Sequence, residues 1–155
     1  MSKVYLISDP HFGHENMAKH RGFSCAEEQD NLIVENWNKV VAKRDLVWVL
    51  GDITMEKACY QILSRLNGTI NVVLGNHDLP HHTGEMMKYV NKVGGAVKYK
   101  GCLLTHVPIH ESEADRFRKV IHGHVHSKSI DHPKYINVCC EVLSYTPVLF
   151  EDLLK

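Results

Sequence analysis

The chain lacks the features that mark several large classes of protein. Its five cysteines are odd in number and show no C-x-x-C spacing, which argues against a disulfide framework and against a thiolate zinc site. No apolar run approaches the roughly 18 residues of a membrane span. The first such run, Val4–Ile7, is too short for the core of a signal peptide. We therefore expect a cytoplasmic protein with reduced thiols and no membrane partner.

Net charge is also absent. Eighteen basic residues balance eighteen acidic residues, so the chain lacks the positive field of a protein that binds many nucleic-acid phosphates. A nucleic-acid partner is not favoured, although a short or single-stranded substrate would need fewer contacts. The G-x-x-x-x-G-K-[ST] motif of P-loop phosphohydrolases and the H-x-H-x-D-H motif of metallo-β-lactamase-type hydrolases are both missing.

The first half of the chain alternates short apolar runs with helical patterns. With 155 residues and an ordinary globular composition, residues 1–155 are predicted to form a single domain. The runs Val4–Ile7, Leu46–Leu50 and Ile70–Leu74 are separated by amphipathic helical segments. This βαβαβ order predicts a parallel sheet covered by helices.

The second half changes character. A helix is predicted around Glu85–Val93, and the runs Ala96–Tyr99 and Cys102–Thr105 read as a hairpin around Lys100-Gly101. Three further short apolar runs follow, at residues 119–121, 135–138 and 148–150. We expect these strands to form a second, mostly antiparallel sheet packed against the first, within the mixed α/β (α+β) class.

Histidine is abundant, with twelve residues, and many of them lie where an apolar run ends. Potential metal ligands follow five separate runs: Asp9 and His11; Asp52; Asn76 and His77; His106; and His122, His124 and His126. Because strand ends of layered α/β folds open onto a shared crevice, we expect these side chains to converge. Carboxylate, imidazole and amide ligands without thiolate suit Mn, Fe, Zn or Ni. Asp52 is the candidate to bridge two such ions, about 3.5–4 Å apart.

These motifs, in this order, resemble those of the calcineurin-like metallophosphoesterases. They are Asp9-x-His11, Gly51-Asp52, Gly75-Asn76-His77-Asp78, His106 after a strand, and Gly123-His124-x-His126. Two further segments are similar to small, capless members from bacteria and phages, namely His11-Phe12-Gly13-His14-x-Asn16 and Thr105-His106-x-Pro108. The resemblance therefore covers most of the chain.

The resemblance implies a fold and a set of metal ligands. The fold is a two-sheet β-sandwich flanked by helices, in agreement with the pattern of strands and helices. The cofactor is a pair of divalent ions, with manganese the first expectation and iron, zinc or nickel the others. The implied ligands of one ion are Asp9, His11, Asp52 and His126. The implied ligands of the other are Asp52, Asn76, His106 and His124.

The resemblance also suggests a mechanism and catalytic residues. A water molecule between the two ions would attack phosphorus, while His77 would protonate the leaving oxygen. Asp78 would orient the His77 imidazole. Candidate substrate contacts are His14, Asn16, Asn76 and His77.

For several residues the sequence leaves two interpretations open. His14, Asn16 and Arg21 fit either a substrate contact or an ordinary surface turn. His122 fits either a residue that supports the metal ligands or a packed strand end. The pair Cys139-Cys140 fits buried inert thiols better than a redox or ligand role.

The function expected from these residues is metal-dependent hydrolysis of a phosphodiester, with monoesters as a second class of substrate. A small, nucleotide-like phosphate ester is the expected partner. Two alternatives stay open: a metal-binding scaffold of the same fold without turnover, and a nuclease acting on short or single-stranded nucleic acid. A scaffold would be expected to have lost ligand positions, and none is lost here.

Overall fold

The computed structural model describes all residues, 1–155, and contains two β-sheets. The strands are β1 (Val4–Ile7), β2 (Leu46–Val49), β3 (Thr69–Val73), β4 (Lys92–Gly94), β5 (Val97–Tyr99), β6 (Cys102–Thr105), β7 (Val120–His122), β8 (Tyr135–Asn137) and β9 (Val148–Leu149). The α-helices are α1 (Glu15–His20), α2 (Ala26–Val40), α3 (Thr83–Met86) and α4 (Glu111–Ala114). Three 3₁₀ helices span Lys57–Arg65, Pro80–His82 and Phe150–Leu154. None of these helices combines the length and the apolar character that crossing a bilayer requires.

The first sheet has the strand order β4-β3-β2-β1-β9. Strands β1 to β4 pair in parallel, and β9 joins the free edge of β1 in the antiparallel direction. Helix α2 connects β1 to β2, and the 3₁₀ helix Lys57–Arg65 connects β2 to β3. The parallel βαβαβ arrangement expected of the first half is therefore present.

Two apolar cores explain why the strands of this sheet are apolar on both faces. Tyr5 and Ile7 of β1 pack with Ile33 and Trp37 of α2 in one core. Leu6, which points to the opposite face of β1, packs in a second core with residues of the other sheet, including Leu104 and Ile121. A strand buried on both faces has no polar alternation, which accounts for the continuous apolar runs.

The second sheet corrects the expectation of mostly antiparallel pairing. Its order is β5-β6-β7-β8, and only the predicted β5–β6 hairpin is antiparallel. Both β6–β7 and β7–β8 pair in parallel. The connecting segments, residues 106–119 and 123–134, each supply the dozen or so residues that a parallel crossover requires. Short apolar runs cannot distinguish these directions, because both kinds of pairing give the same local pattern.

The helix predicted around Glu85–Val93 is also corrected. Helix α3 ends at Met86, and Lys92–Gly94 forms the edge strand β4 instead. Val93 lies opposite Val72 of β3, and the Asn91 N–H donates to the Ile70 carbonyl at 2.8 Å. Pairing with β3 thus outweighs the local helical preference of this segment.

Candidate metal centre

The parallel pairing of β1 and β2 continues beyond the ends of both strands. The Asp9 N–H donates to the Gly51 carbonyl at 3.0 Å, and the His11 N–H donates to the Asp52 carbonyl at 3.1 Å. The second sheet joins the same edge, because the Ser8 N–H donates to the carbonyl of Val138 at 2.8 Å. The loops that carry the candidate ligands are therefore attached to one another through their backbones.

The backbone at most of the candidate ligands is in the left-handed region. Non-glycine residues seldom adopt positive φ, at a cost of roughly 1–2 kcal/mol each. Here it occurs at five of the seven candidates: Asp9 (57°), His11 (48°), Asp52 (54°), His124 (72°) and His126 (54°). Such clustered backbone strain is characteristic of functional sites. The tight turns bring these side chains together at one end of both sheets.

A first cluster contains Asp9, His11 and His126, whose ligand atoms all lie within 4.8 Å of one another. Asp9 Oδ1 is 3.5 Å from His11 Nε2 and 3.8 Å from His126 Nε2. Asp9 Oδ1 and His11 Nε2 are both buried and have no hydrogen-bond partner. Buried polar atoms without partners are costly, and a cation between them would satisfy both. The donors present therefore fit a metal ion.

A second cluster contains Asp52, His106 and His124, whose ligand atoms also lie within 4.8 Å of one another. His106 Nε2 is 3.3 Å from Asp52 Oδ2 and 2.9 Å from Asn76 Oδ1. The same Asn76 oxygen is 3.1 Å from His124 Nδ1. Asn76 and His124 are exposed, so this cluster is open to solvent.

Asp52 joins the two clusters. Its Oδ2 lies 3.6 Å from His11 Nε2 in the first cluster and 3.3 Å from His106 Nε2 in the second. Its other oxygen, Oδ1, accepts a hydrogen bond from the His77 N–H at 2.9 Å. A Cβ atom at Gly75 would clash with Oδ1, so a side chain at this position would displace Asp52. One carboxylate oxygen therefore faces both clusters, as a bridging ligand must.

Asp9 is oriented by hydrogen bonds to its second oxygen. Oδ2 accepts from the Ser8 hydroxyl at 2.6 Å, the His124 N–H at 2.9 Å and the Cys139 thiol at 3.3 Å. Burial acts to raise the pKa of Asp9, but the nearby His11 imidazole and the charge of His106 outweigh burial and hold the pKa below the usual value of an aspartate. Asp9 is therefore an anion whose Oδ1 is left free to face the first cluster.

The Cys139 thiol is a hydrogen-bond donor to Asp9. Burial and the charge of Asp9 raise the pKa of Cys139 well above its usual value, which keeps the thiol protonated. Burial also raises the pKa of Cys140, to about 12. Both side chains are fully buried. The geometry thus fits buried protonated thiols, one of which helps to orient a candidate ligand.

Two of the histidines are fixed by partners on their other ring nitrogen. His106 Nδ1 lies 2.7 Å from the Leu50 carbonyl, and His126 Nδ1 lies 2.7 Å from Glu141 Oε2. A partner that accepts from Nδ1–H leaves Nε2 free to coordinate a metal, and such partners commonly support metal-binding histidines. Both Nε2 atoms point towards the clusters.

Glu141 is a site residue that the sequence did not reveal. It contacts His126 on one side and Arg21 on the other, and the side chain of Arg21 is only 1% exposed. All five N–H groups of Arg21 are used: two donate to Glu141, two to the carbonyls of Asp9 and Pro10, and one to Gln29 Oε1. Arg21 is therefore a buried structural residue and has no N–H left for a substrate.

The structure gives Asp78 contacts that differ from the predicted one. Its Oδ2 accepts from the N–H groups of Asp52 and Gly75, both at 2.8 Å, and its Oδ1 accepts from the Ile53 N–H at 3.0 Å. None of its hydrogen bonds goes to the His77 imidazole. Asp78 instead joins the loop after β2 to the loop after β3, and it positions Asp52 through the Asp52 backbone.

His77 lies at the mouth of the first cluster. The residue is half-buried, and its ring centroid is 5.9 Å from that of His11. The His77 imidazole makes no hydrogen bond within the protein, whereas the backbone N–H is held by Asp52. The ring is thus positioned beside the candidate metal site and remains free to contact a ligand.

Of the remaining candidates, His14 lies as close to the first cluster as His77 does, with its ring centroid 5.9 Å from that of His11. His14 Nδ1 accepts from the Met17 N–H at 2.9 Å and caps helix α1, while the exposed Asn16 lies on that helix. Both residues line a separate cavity of 260 Å³ that contains none of the candidate ligands. His122 is fully buried, with Nδ1 2.9 Å from the Gly123 carbonyl, which is the environment of a packed strand end.

Comparison with known proteins supports the assignment of a family. A family model described as the calcineurin-like phosphoesterase superfamily domain matches residues 2–140. An uncharacterized protein of Methanocaldococcus jannaschii is 37% identical, in an alignment that covers 100% of this chain and 91% of that protein. The gene 66 protein of Mycobacterium phage L5 is 31% identical, with 84% of this chain and 80% of the phage protein covered.

Solved structures share the fold. A protein of unknown function from Aquifex aeolicus superposes with a TM-score of 0.77 at 26% identity, covering 99% of this chain and 98% of that chain. The nuclease MPE of Pseudomonas putida superposes with a TM-score of 0.52 at 18% identity, covering 79% of this chain and 61% of that chain. The match of the family model over nearly the whole sequence, together with these relatives, shows that the chain belongs to the calcineurin-like phosphoesterase superfamily, with phage proteins among its relatives.

Proposed function

We propose that this protein hydrolyses phosphodiester bonds of a small, nucleotide-like substrate and requires two divalent metal ions, with manganese preferred. The superfamily consists generally of metal-dependent phosphoesterases. The observation that carries the proposal is the position of Asp52 Oδ2 between two clusters of ligand atoms, in the first of which Asp9 Oδ1 and His11 Nε2 are buried and have no hydrogen-bond partner. Iron, zinc and nickel suit the same donors.

The two clusters divide the candidate ligands between two ions. The first ion would be held by Asp9, His11, Asp52 and His126, and the second by Asp52, Asn76, His106 and His124. Bound divalent ions supply two effects in phosphoester hydrolysis: they activate a water molecule for attack on phosphorus, and they neutralise charge on the phosphate oxygens. The buried carboxylates of Asp9 and Asp52 provide the negative charge that retains the ions.

His77 is the proposed general acid. Its imidazole is half-buried beside the first cluster and makes no hydrogen bond that would prevent proton transfer. A proton delivered from this ring to the leaving oxygen would avoid expulsion of an alkoxide. General acid catalysis of this kind typically raises the reaction rate about 10²–10⁴-fold. The hydrogen bond from the His77 N–H to Asp52 Oδ1 attaches the backbone of the proposed acid to the proposed bridging ligand.

The two alternatives have less support. A metal-binding scaffold without turnover would have no need of a free His77 imidazole beside the ligands. The structural likeness to a nuclease at 18% identity concerns the fold alone, and the balanced charge of the chain offers little attraction for a long nucleic acid. A small diester therefore fits the site better.

The first test is turnover of bis(p-nitrophenyl) phosphate by the manganese-loaded protein and by its Asp52→Asn variant. The wild type should turn over the ester and bind two ions per chain. The variant should lose at least about 100-fold in rate, equivalent to roughly 2.7 kcal/mol, because an amide cannot bridge two cations as a carboxylate does. Asp115→Asn, at an exposed position, is the matched control and should behave as wild type. Two ions retained by Asp52→Asn would contradict the bridging role.

A second test separates proton transfer from metal binding. His77→Ala should keep both ions, and its rate should fall much further on a dinucleoside monophosphate, which has an alkoxide leaving group, than on a nitrophenyl diester. The reason is that nitrophenolate departs without a proton. The exposed His81 supplies the control variant His81→Ala. Equal losses on the two esters would show that His77 is not the acid.

A third test concerns Glu141 as a positioning residue. In Glu141→Gln the His126 imidazole keeps an acceptor but loses the adjacent charge, so affinity for one of the two ions should fall about 10-fold while affinity for the other stays unchanged. Manganese titration of the metal-free protein by calorimetry measures both affinities. Glu151→Gln, at an exposed position, should bind as wild type. If both affinities in Glu141→Gln match the wild type, Glu141 does not support the site.

A further inference from the structure

A cavity of 620 Å³ lies directly beside the candidate metal centre. Its lining includes His124 and His126, one from each cluster of ligands, so the cavity borders both clusters. The volume falls within the roughly 300–1,000 Å³ of typical small-molecule sites. A phosphate held at the metal centre could therefore extend one of its ester groups into this cavity.

Part of the cavity wall is apolar. Met17 of α1, Val125 and Tyr145 provide this surface. The Tyr145 ring is fixed, because it packs edge-on against Phe23 at 5.2 Å between centroids and lies 5.6 Å from the Arg21 guanidinium carbon. A rigid aromatic wall with flanking apolar groups suits a flat ring, since aromatic surfaces bury a large area at little entropic cost.

The rest of the wall is polar, and among its Arg, Lys and Glu side chains only the exposed Lys128 is without an ion-pair partner. Arg21 and Glu141 line the cavity as an ion pair, and every N–H of Arg21 is already used. The exposed His20, Ser127 and Lys128 remain available for hydrogen bonds. A group that is partly aromatic, partly polar and mostly uncharged fits this lining. A nucleoside has this composition, whereas an acyl chain lacks the polar part and a simple sugar lacks the aromatic part.

The position of His77 indicates which ester group enters the cavity. His77, the proposed acid, is not part of the cavity wall, and neither are Asn76 and His11. In an in-line displacement the leaving oxygen must lie beside the acid that protonates it. The group in the cavity is thus not the leaving group but the ester group that stays attached to phosphorus, while the attacking oxygen approaches opposite the leaving oxygen.

We propose that this cavity binds the nucleoside that remains on the phosphate, an inference that rests on the proposed phosphodiesterase function. In the reaction, the bond from phosphorus to the leaving alcohol oxygen breaks and a bond to the oxygen of water forms. The leaving oxygen takes up a proton. The products are an alcohol and a nucleoside monophosphate, and the enzyme selects its substrate by the retained nucleoside, with broad tolerance of the leaving alcohol.

Two substrates with the same leaving group test this selection. Thymidine 5′-(p-nitrophenyl phosphate) and methyl p-nitrophenyl phosphate both release p-nitrophenolate, so they differ only in the retained ester. The manganese-loaded wild type should show a kcat/KM at least about 10-fold higher for the thymidine ester. Met17→Trp, which fills the cavity, should reduce that ratio towards one. Met87→Trp, at an exposed methionine outside the cavity, should leave the ratio unchanged.

Binding of products gives an independent measurement. Thymidine monophosphate should bind the manganese-loaded protein at least about 10-fold more tightly than methyl phosphate in calorimetry, and Met17→Trp should remove the difference. Equal kcat/KM for the two esters, or a wild-type ratio retained in Met17→Trp, would overturn the assignment of the cavity while leaving phosphodiesterase activity intact. If protein with two bound ions hydrolyses neither ester, the proposed function is refuted. The affinities for thymidine monophosphate and methyl phosphate would then test the assignment of the cavity independently.

Discussion

The parallel pairing of β1 with β2 is the constraint on which the candidate metal centre depends. The hydrogen bonds continue past both strand ends, which fixes the Asp9 loop against the Asp52 loop. Two carboxylates are thereby held in a buried site, where burial acts to raise the pKa of Asp52 and the neighbouring His106 imidazole, 3.3 Å away, outweighs that effect and lowers the pKa. Buried anions require compensating positive charge. The proposed divalent ions supply that charge, and the left-handed turns direct the side chains towards it.

The direction of pairing in the second sheet has a functional consequence. Because β6 and β7 run parallel, both strands end at the same edge, and the loops that follow them deliver His106, His124 and His126 to one place. An antiparallel β7 would have placed the last two histidines at the opposite edge. The prediction of antiparallel pairing is therefore inconsistent with the prediction of a shared site. Convergence of the ligands requires β6 and β7 to run parallel.

The sequence revealed the candidate ligands because each follows a short apolar run, and a buried strand that ends in a polar turn is a local pattern. Other features depend on contacts between distant segments. Glu141 pairs with Arg21 across 120 positions, and no spacing rule connects two such residues. Likewise, the segment that contains Val93 has an ambiguous local pattern, and only its contact with β3 makes it a strand. The hydrogen bonds of Asp78 to backbone groups also join distant segments, so the sequence does not predict them. A carboxylate next to a histidine in sequence suggests a side-chain pair instead.

Anomalous diffraction from a crystal soaked in manganese tests the central claim most directly. The account predicts two peaks in the anomalous difference map, one beside Asp9, His11 and His126 and one beside Asn76, His106 and His124, with an oxygen of Asp52 in contact with both. A map with no peak at these side chains, or with ions that Asp52 does not touch, would contradict it.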